Sequence, residues 1–257
     1  MTARPLRFFE GQALNYSRVW RASIFSNFLN PVLYLAAMGI GLGSLVDRNP
    51  TAEFGGLDYL VWLAPGLLAA AGMQSGAGEG SFPIMAGLKW IKTYPAIMNT
   101  PLSITDLLIG LMSWIAARLF MICSIFAGVL ILFDAADPTR AVLAVFPAVL
   151  TGLAFAAPMA AFAAWIEDDT GLTMVFRFGI VPLFLFSGTF FPIEQLPDLL
   201  EGLAYATPLF HGVELTRAAA LGIESALPVW QHIAYLLVVL AVGSSLAQRN
   251  LTKRLRT

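Results

Sequence analysis

Apolar runs long enough to cross a bilayer recur along this chain, and a single stretch, Ser187 to Gly222, breaks the pattern. Away from water a run of about 20 apolar residues satisfies its own backbone as a helix, which makes each run a candidate membrane span. Composition agrees: 58% of the residues are hydrophobic and 12% charged, with a mean hydropathy of +0.75, whereas a soluble domain carries roughly 25% charged residues. Almost no sequence is left for a water-soluble core, so residues 1–257 read as one membrane domain. In the exceptional stretch, Pro192, Pro197 and Pro208 end helices, so the backbone dips, turns and returns. Irregular backbone at membrane depth is tolerated where protein or a hydrated cavity satisfies it, which puts a re-entrant or lid-like segment, residues 191–222, at one mouth of a helical bundle.

Residues 1–23 read as a helix lying in the membrane interface. Leu6, Phe9, Ala13, Tyr16 and Trp20 share one stripe at about 100° per residue, and Arg4, Arg7, Arg18 and Arg21 gather opposite. Six spans follow, over 24–43, 57–80, 104–133, 141–165, 172–190 and 229–247. The first holds Asn27, Asn30 and Pro31, which are expected to face protein and not lipid. In the second, Gly72, Gly76 and Gly80 recur every fourth residue and bare one face to a neighbouring helix. Pro147 and Pro158 are expected kinks in the fourth. Residues 81–101, between spans two and three, are too polar to span and too apolar for a free loop; a short amphipathic helix near Met85 to Tyr94 presents Lys89, Trp90 and Tyr94. Lys92-Thr93 does not end a phosphate-binding loop, because the residue before the lysine is Ile91 and not glycine.

Arg118, in the middle of span three, either pairs within the bundle or touches a hydrated path. Arg177 lies near a span end and snorkels toward headgroups. Phe184, Phe186, Phe190 and Phe191 form either an interfacial belt or an apolar substrate surface. Glu167, Asp168 and Asp169 read as a solvated turn, since consecutive carboxylates converge poorly on a metal and no His or Cys is near. Cys123, the sole cysteine, excludes an internal disulfide and reads as a small buried hydrophobe. The first twenty residues lack the apolar core of a cleavable signal peptide. Basic residues set the orientation: with the N-terminus in the cytoplasm, Arg4, Arg7, Arg18, Arg21, Lys89, Lys92, Arg249, Lys253, Arg254 and Arg256 fall inside, and only Arg48, Arg140 and Arg217 outside. Both termini are then cytoplasmic and the proline-broken segment is external.

SGTFFPIEQLP, Ser187 to Pro197, followed by PLFHGVELTRAAALG, Pro208 to Gly222, resembles the signature of type-2 ABC exporter permeases. NPVLYLAAMGIGLG (Asn30 to Gly43), YLVWLAPGLL (Tyr59 to Leu68) and PLSITDLLIG (Pro101 to Gly110) extend the similarity over nearly the whole chain, toward the branch with the nodulation lipo-oligosaccharide and daunorubicin exporter permeases. One departure is Leu111, where nodulation-type relatives often carry an acidic residue after the glycine. The resemblance implies an all-α, six-span permease of a bacterial cytoplasmic (inner) membrane, paired with a second permease copy, identical or paralogous, on two separately encoded ABC ATPases. ATP and Mg would belong to those subunits, with no cofactor and no catalytic site in this chain. It further implies coupling contacts at Gly87, Leu88, Lys89, Trp90, Thr93 and Tyr94, a smaller contact at Glu167, Asp168 and Asp169, and two short external re-entrant helices within Phe191 to Leu221.

The expected cargo is a lipid, glycolipid or amphipathic drug, on a path touched by Asn30, Arg118 and the four phenylalanines. Membrane lipids are expected partners and nucleic acid is not. An ATP-independent secondary carrier is the alternative, but it needs carboxylates or histidines near the midplane; Glu79 and Asp106 lie at span ends, and His211 and His232 in or beside the external region. An intramembrane metal hydrolase lacks the HExxH spacing it would need.

Overall fold

The computed structural model describes residues 4–46, 54 and 56–256, and every regular element among them is helical. α1 (Arg4–Tyr16) is followed by α2 (Trp20–Tyr34), which runs through the π-helical Leu35–Leu42 into α3 (Gly43–Val46). Helix thus continues past Gly43, where a polar loop was expected; Arg48 and the side chain of Asn30 lie outside the described residues. Next come α4 (Tyr59–Glu79), α5 (Phe82–Met85), the π-helical Ala86–Trp90 and α6 (Thr93–Ile97). The long α7 (Ile104–Leu132) and α8 (Pro138–Trp165) precede α9 (Thr170–Val175), which passes through the π-helical Phe176–Ile180 into α10 (Val181–Phe186). A 3₁₀ turn at Ile193–Gln195 leads to α11 (Asp198–Tyr205), α12 (Pro208–Leu221) and α13 (Val229–Arg256).

By length and composition four helical runs can cross a membrane: Tyr59–Trp90, α7, α8 and α13. Thr170–Phe186 is apolar but shorter. Local chemistry fixes several ends. α7 opens on a capping box in which the Ser103 hydroxyl accepts from the Asp106 N–H while the Asp106 carboxylate accepts from the Ser103 N–H, which accounts for that acidic residue without any ion-coupling role. α12 opens with Thr207 accepting from the Phe210 N–H and with Pro208 in its first turn, and it closes on Gly222 in the left-handed region at φ 72°.

α8 is the hub, packed against α4, α7, α12 and α13. The glycine ladder of α4 lies on it: a β-carbon at Gly72, Gly76 or Gly80 would come within 2.4, 2.0 and 2.4 Å of the carbonyl oxygens of Ala148, Gly152 and Ala156. Gly212 of α12 fits against Thr151 of α8, and Gly243 of α13 against the Pro158 ring. Pro147 and Pro158 do not interrupt α8.

α1 packs along the start of α7, where Gly110 leaves room for the Pro5 carbonyl. Its docking face differs from the expected stripe. Phe8 is buried and contacts the Tyr94 ring, Phe9 and Tyr16 meet Trp114 edge-on, and Leu6 is exposed. Trp20 belongs to α2, beyond a turn at residues 17–19, so periodicity carried across that turn overextended the stripe.

A β-carbon at Gly76 has nowhere to go without parting α4 from α8, whereas Gly78 on the same helix has nothing within 4 Å. Gly76→Ala is expected to destabilise the purified protein by about 1–3 kcal/mol, while Gly78→Ala is neutral or stabilising by up to about 1 kcal/mol. Thermal unfolding of the two variants in one detergent checks this, and equal melting temperatures would remove the seam from the account.

Candidate functional site

One end of the bundle gathers the residues expected to couple to an ATPase. Lys89 Nζ donates to the Glu167 carbonyl oxygen at 2.6 Å, which joins the elbow after α5 to the acidic turn after α8 across 78 positions of sequence. Arg254 of α13 donates to the carbonyls of Ala164 and Ile166, and Gln248 donates to Thr105 at the start of α7. The ends of α8 and α13 and the start of α7 therefore meet the elbow at one edge.

The elbow is not the single amphipathic helix expected near Met85 to Tyr94. It breaks at Ile91–Lys92, with Lys92 in the left-handed region at φ 59°, and restarts as α6. Tyr94, expected to be presented, is buried: it fills the space beside Gly87, where a β-carbon would come within 2.6 Å of the ring, and burial raises its phenol pKa. Gly87, Leu88 and Tyr94 form the internal support, while Lys89, Trp90, Ile91, Lys92 and Thr93 project. Trp90 and Ile91 are 53% and 70% exposed, an apolar tip flanked by lysines. Glu167, Asp168 and Asp169 are exposed beside it.

Arg118 is paired. Its guanidinium lies 2.8 Å from the Glu79 carboxylate and stacks over the Tyr16 ring at 4.3 Å. α4, α7 and the end of α1 are thereby tied together. One helical turn away on both long helices, Ser75 and Ile122 line a cavity of about 240 Å³ with Asn27, Tyr34, Gln74 and Phe184. Of the expected path residues, Phe184 lines this cavity and contacts Tyr34 and Phe190 edge-on; Phe186 is exposed, and Phe190 and Phe191 are half-buried outside its lining. The cavity's polar groups are uncharged amides and hydroxyls.

At the opposite end, Arg217 is the residue whose setting sequence reading missed. Counted there as an external charge, it is 5% exposed, and its guanidinium stacks on Trp62 of α4 at 3.8 Å. It donates to the Trp62 and Gly188 carbonyls and to Glu214, and so fastens α12 and the Ser187–Thr189 turn to α4. The signal was available in the mostly apolar circumference of Pro208–Leu221, which argues for a helix buried on several sides. His211 and His232, far apart in sequence, also meet here. Their Nδ1 atoms are 2.8 Å apart, one donating and the other accepting, and the His211 ring stacks on Tyr235. Among the described residues no three His, Cys, Asp or Glu side chains converge on a metal position.

Lysine at 217 keeps a charge but cannot supply a planar stack together with three divergent donors. Arg217→Lys is therefore expected to cost about 2 kcal/mol, a fall of roughly 4–8 °C in apparent melting temperature; an unchanged melting curve would refute the anchoring role.

Comparisons with known proteins bear on what this architecture is. The chain is 29% identical over 256 residues to "Nodulation protein J" of Neorhizobium galegae, covering 93% of this chain and 95% of that protein. It is 30% identical over 223 residues to "Nodulation protein J" of Sinorhizobium fredii (strain NBRC 101917 / NGR234), covering 80% and 81%. It is 19% identical over 209 residues to "Inner membrane transport permease YadH" of Escherichia coli (strain K12), covering 81% and 79%. Residues 8–221 match the family described as ABC-2 type transporter, to which this chain belongs.

Proposed function

We propose that the chain is the membrane-path subunit of an ATP-driven exporter of the bacterial inner membrane, working as a pair of permeases on two ABC ATPases. The observation that carries this reading is the elbow: Trp90 and Ile91 project from a buried Gly87–Leu88–Tyr94 support, and Lys89 ties that support to the exposed acidic turn at Glu167–Asp169. An apolar tip with a charged rim is the composition of an interface hot spot. Arg4, Arg7, Lys89, Lys92, Arg249, Lys253, Arg254 and Arg256 lie on elements that end at this edge, which supports a cytoplasmic assignment for it and for both described ends of the chain.

Six crossings follow if Trp20–Val46 and Thr170–Phe186 span along with the four longer runs. α11 and α12 then cap the external mouth, held down by Arg217. Apolar side chains project from the first and fifth of these helices, among them Phe25, Phe28 and Leu33 of α2 and Phe178, Val181 and Phe186 of the other, and they supply a seam for the second permease. Nucleotide-driven closure of the ATPases pushes the elbow, the Glu79–Arg118–Tyr16 tie passes the push to α4, α7 and α1, and the two packings of the seam alternate. The uncharged cavity beside Phe184 suits an amphipathic or glycan-bearing lipid or drug better than a multiply charged solute.

Lys89→Ala combined with Trp90→Ala is expected to weaken recovery of the companion ATPase with tagged permease by about 30-fold, equivalent to about 2 kcal/mol for a truncated anchor. A complex that remains intact and coupled would exclude the elbow as the contact. Transport by the permease alone in liposomes would instead favour the secondary carrier.

A further inference from the structure

Far from the cavity beside Phe184, a second concavity opens between α8, α12 and α13. It is a groove of about 410 Å³ whose walls, including Phe146, Pro147 and Leu150 of α8, Ala218 and Ala219 of α12 and Ile233 of α13, are entirely apolar. The start of α8, the end of α12 and the start of α13 lie at the same edge of the bundle, since the Arg140 guanidinium rests against Gly222. From the first residue of α8, Phe146 and Leu150 are about 12 and 18 Å deep; half of a bilayer's hydrocarbon is about 15 Å. The groove therefore runs at acyl-chain depth from one face of the bilayer to about its midplane.

Arg140 stands over its mouth. It is seven residues before Pro147 on the same face of α8, and it touches Gly222, the residue that closes α12 by donating its N–H to the Ala218 carbonyl. Its side chain is exposed and makes no hydrogen bond or ion pair among the described residues. Trp230, exposed in the first turn of α13, marks the same level as an interfacial aromatic. Asp134, Asp137 and Glu224 lie in the adjoining turns, so this mouth offers one cation among carboxylates.

The geometry points to a resident glycerophospholipid site: one acyl chain lies in the α8–α12–α13 groove, the phosphate is bound by Arg140, and the acidic neighbours favour a zwitterionic headgroup with an ammonium over an anionic one. The groove shares no lining residue with the cavity beside Phe184, and the site stands whether or not the proposed transport reading does. The lipid bridges three helices and wedges the end of α12 against α8.

Native mass spectrometry of the permease in complex with its ATPase, after reconstitution with equal phosphatidylethanolamine and phosphatidylglycerol and extensive detergent washing, tests this. Wild type is expected to retain phosphatidylethanolamine, and Arg140→Gln to lower retention about tenfold, the loss of one charge-assisted contact, with Arg140→Lys keeping most of it. Ala219→Trp, which fills the groove, is expected to abolish retention; because Arg140 is exposed, its variants remain informative even if the tryptophan variant misfolds. Retention by Arg140→Gln equal to wild type, or a wild type that washes free of lipid, overturns the site. Equal retention of phosphatidylglycerol overturns the headgroup assignment, and release of the lipid on ATP turnover shows a cargo instead of a resident.

Discussion

Everything in this bundle is arranged around the contact of two bare backbones, α4 against α8. In hydrocarbon, apolar side chains gain nothing by leaving lipid for protein, so helices associate through close van der Waals contact and buried polar bonds. Gly72, Gly76 and Gly80 remove the side chains that would hold α4 away, and Gly152 on α8 lies reciprocally against the Gly72 carbonyl. The same device recurs around α8, with Gly212 admitting Thr151 and Gly243 admitting Pro158. A helix that carries two prolines thus becomes the hub, since its neighbours were given the missing volume.

That seam makes the buried charges tolerable. Arg217 is enclosed by groups of three elements, Trp62, Gly188 and Glu214, and it finds them together only because α12 and α4 are both fixed to α8. An unpaired guanidinium there would be strongly unfavourable, whereas a stacked one with several acceptors is held. Glu79 and Arg118 follow the same logic at the other end: the pair has Tyr16 against it and joins the α1 docking face to the long helices. Arg217 and Arg118, both drawn in from water, therefore mark places where separate elements are tied.

Sequence patterning revealed the elements better than their partners. The limits of α7 and α8, the helical form of α1, the ladder of glycines and the position of the elbow were legible because apolar length, helical period and proline are local properties. Tyr94 was misjudged and Phe8 was left off the stripe, because a stripe shows that a side chain is oily and not which surface receives it; here each covers the other. The Lys89–Glu167, Arg217–Trp62 and His211–His232 contacts join residues 78, 155 and 21 positions apart, and no periodicity reaches across a chain turn to announce them. Arg118 was left between pairing and path, and its proximity to Glu79 appears only once α4 and α7 stand side by side.

The helices outside the hub have a different local structure. The Trp20–Val46 and Thr170–Phe186 runs each contain a π-helical segment, Leu35–Leu42 and Phe176–Ile180, and a β-carbon at Gly171 of the second run would meet Phe162 of α8 only at an ordinary 3.5 Å. A π segment carries an extra residue in its turn; such segments are rare, occur mostly as short bulges inside α-helices, and are frequent at functional sites. Both runs present apolar side chains outward, and Tyr34 of one meets Phe184 of the other beside the polar-lined cavity. A third π segment, Ala86–Trp90, forms the elbow itself. Glycine-packed helices at the centre, with π-containing helices at the elbow and beside the cavity, set two kinds of packing side by side in one chain.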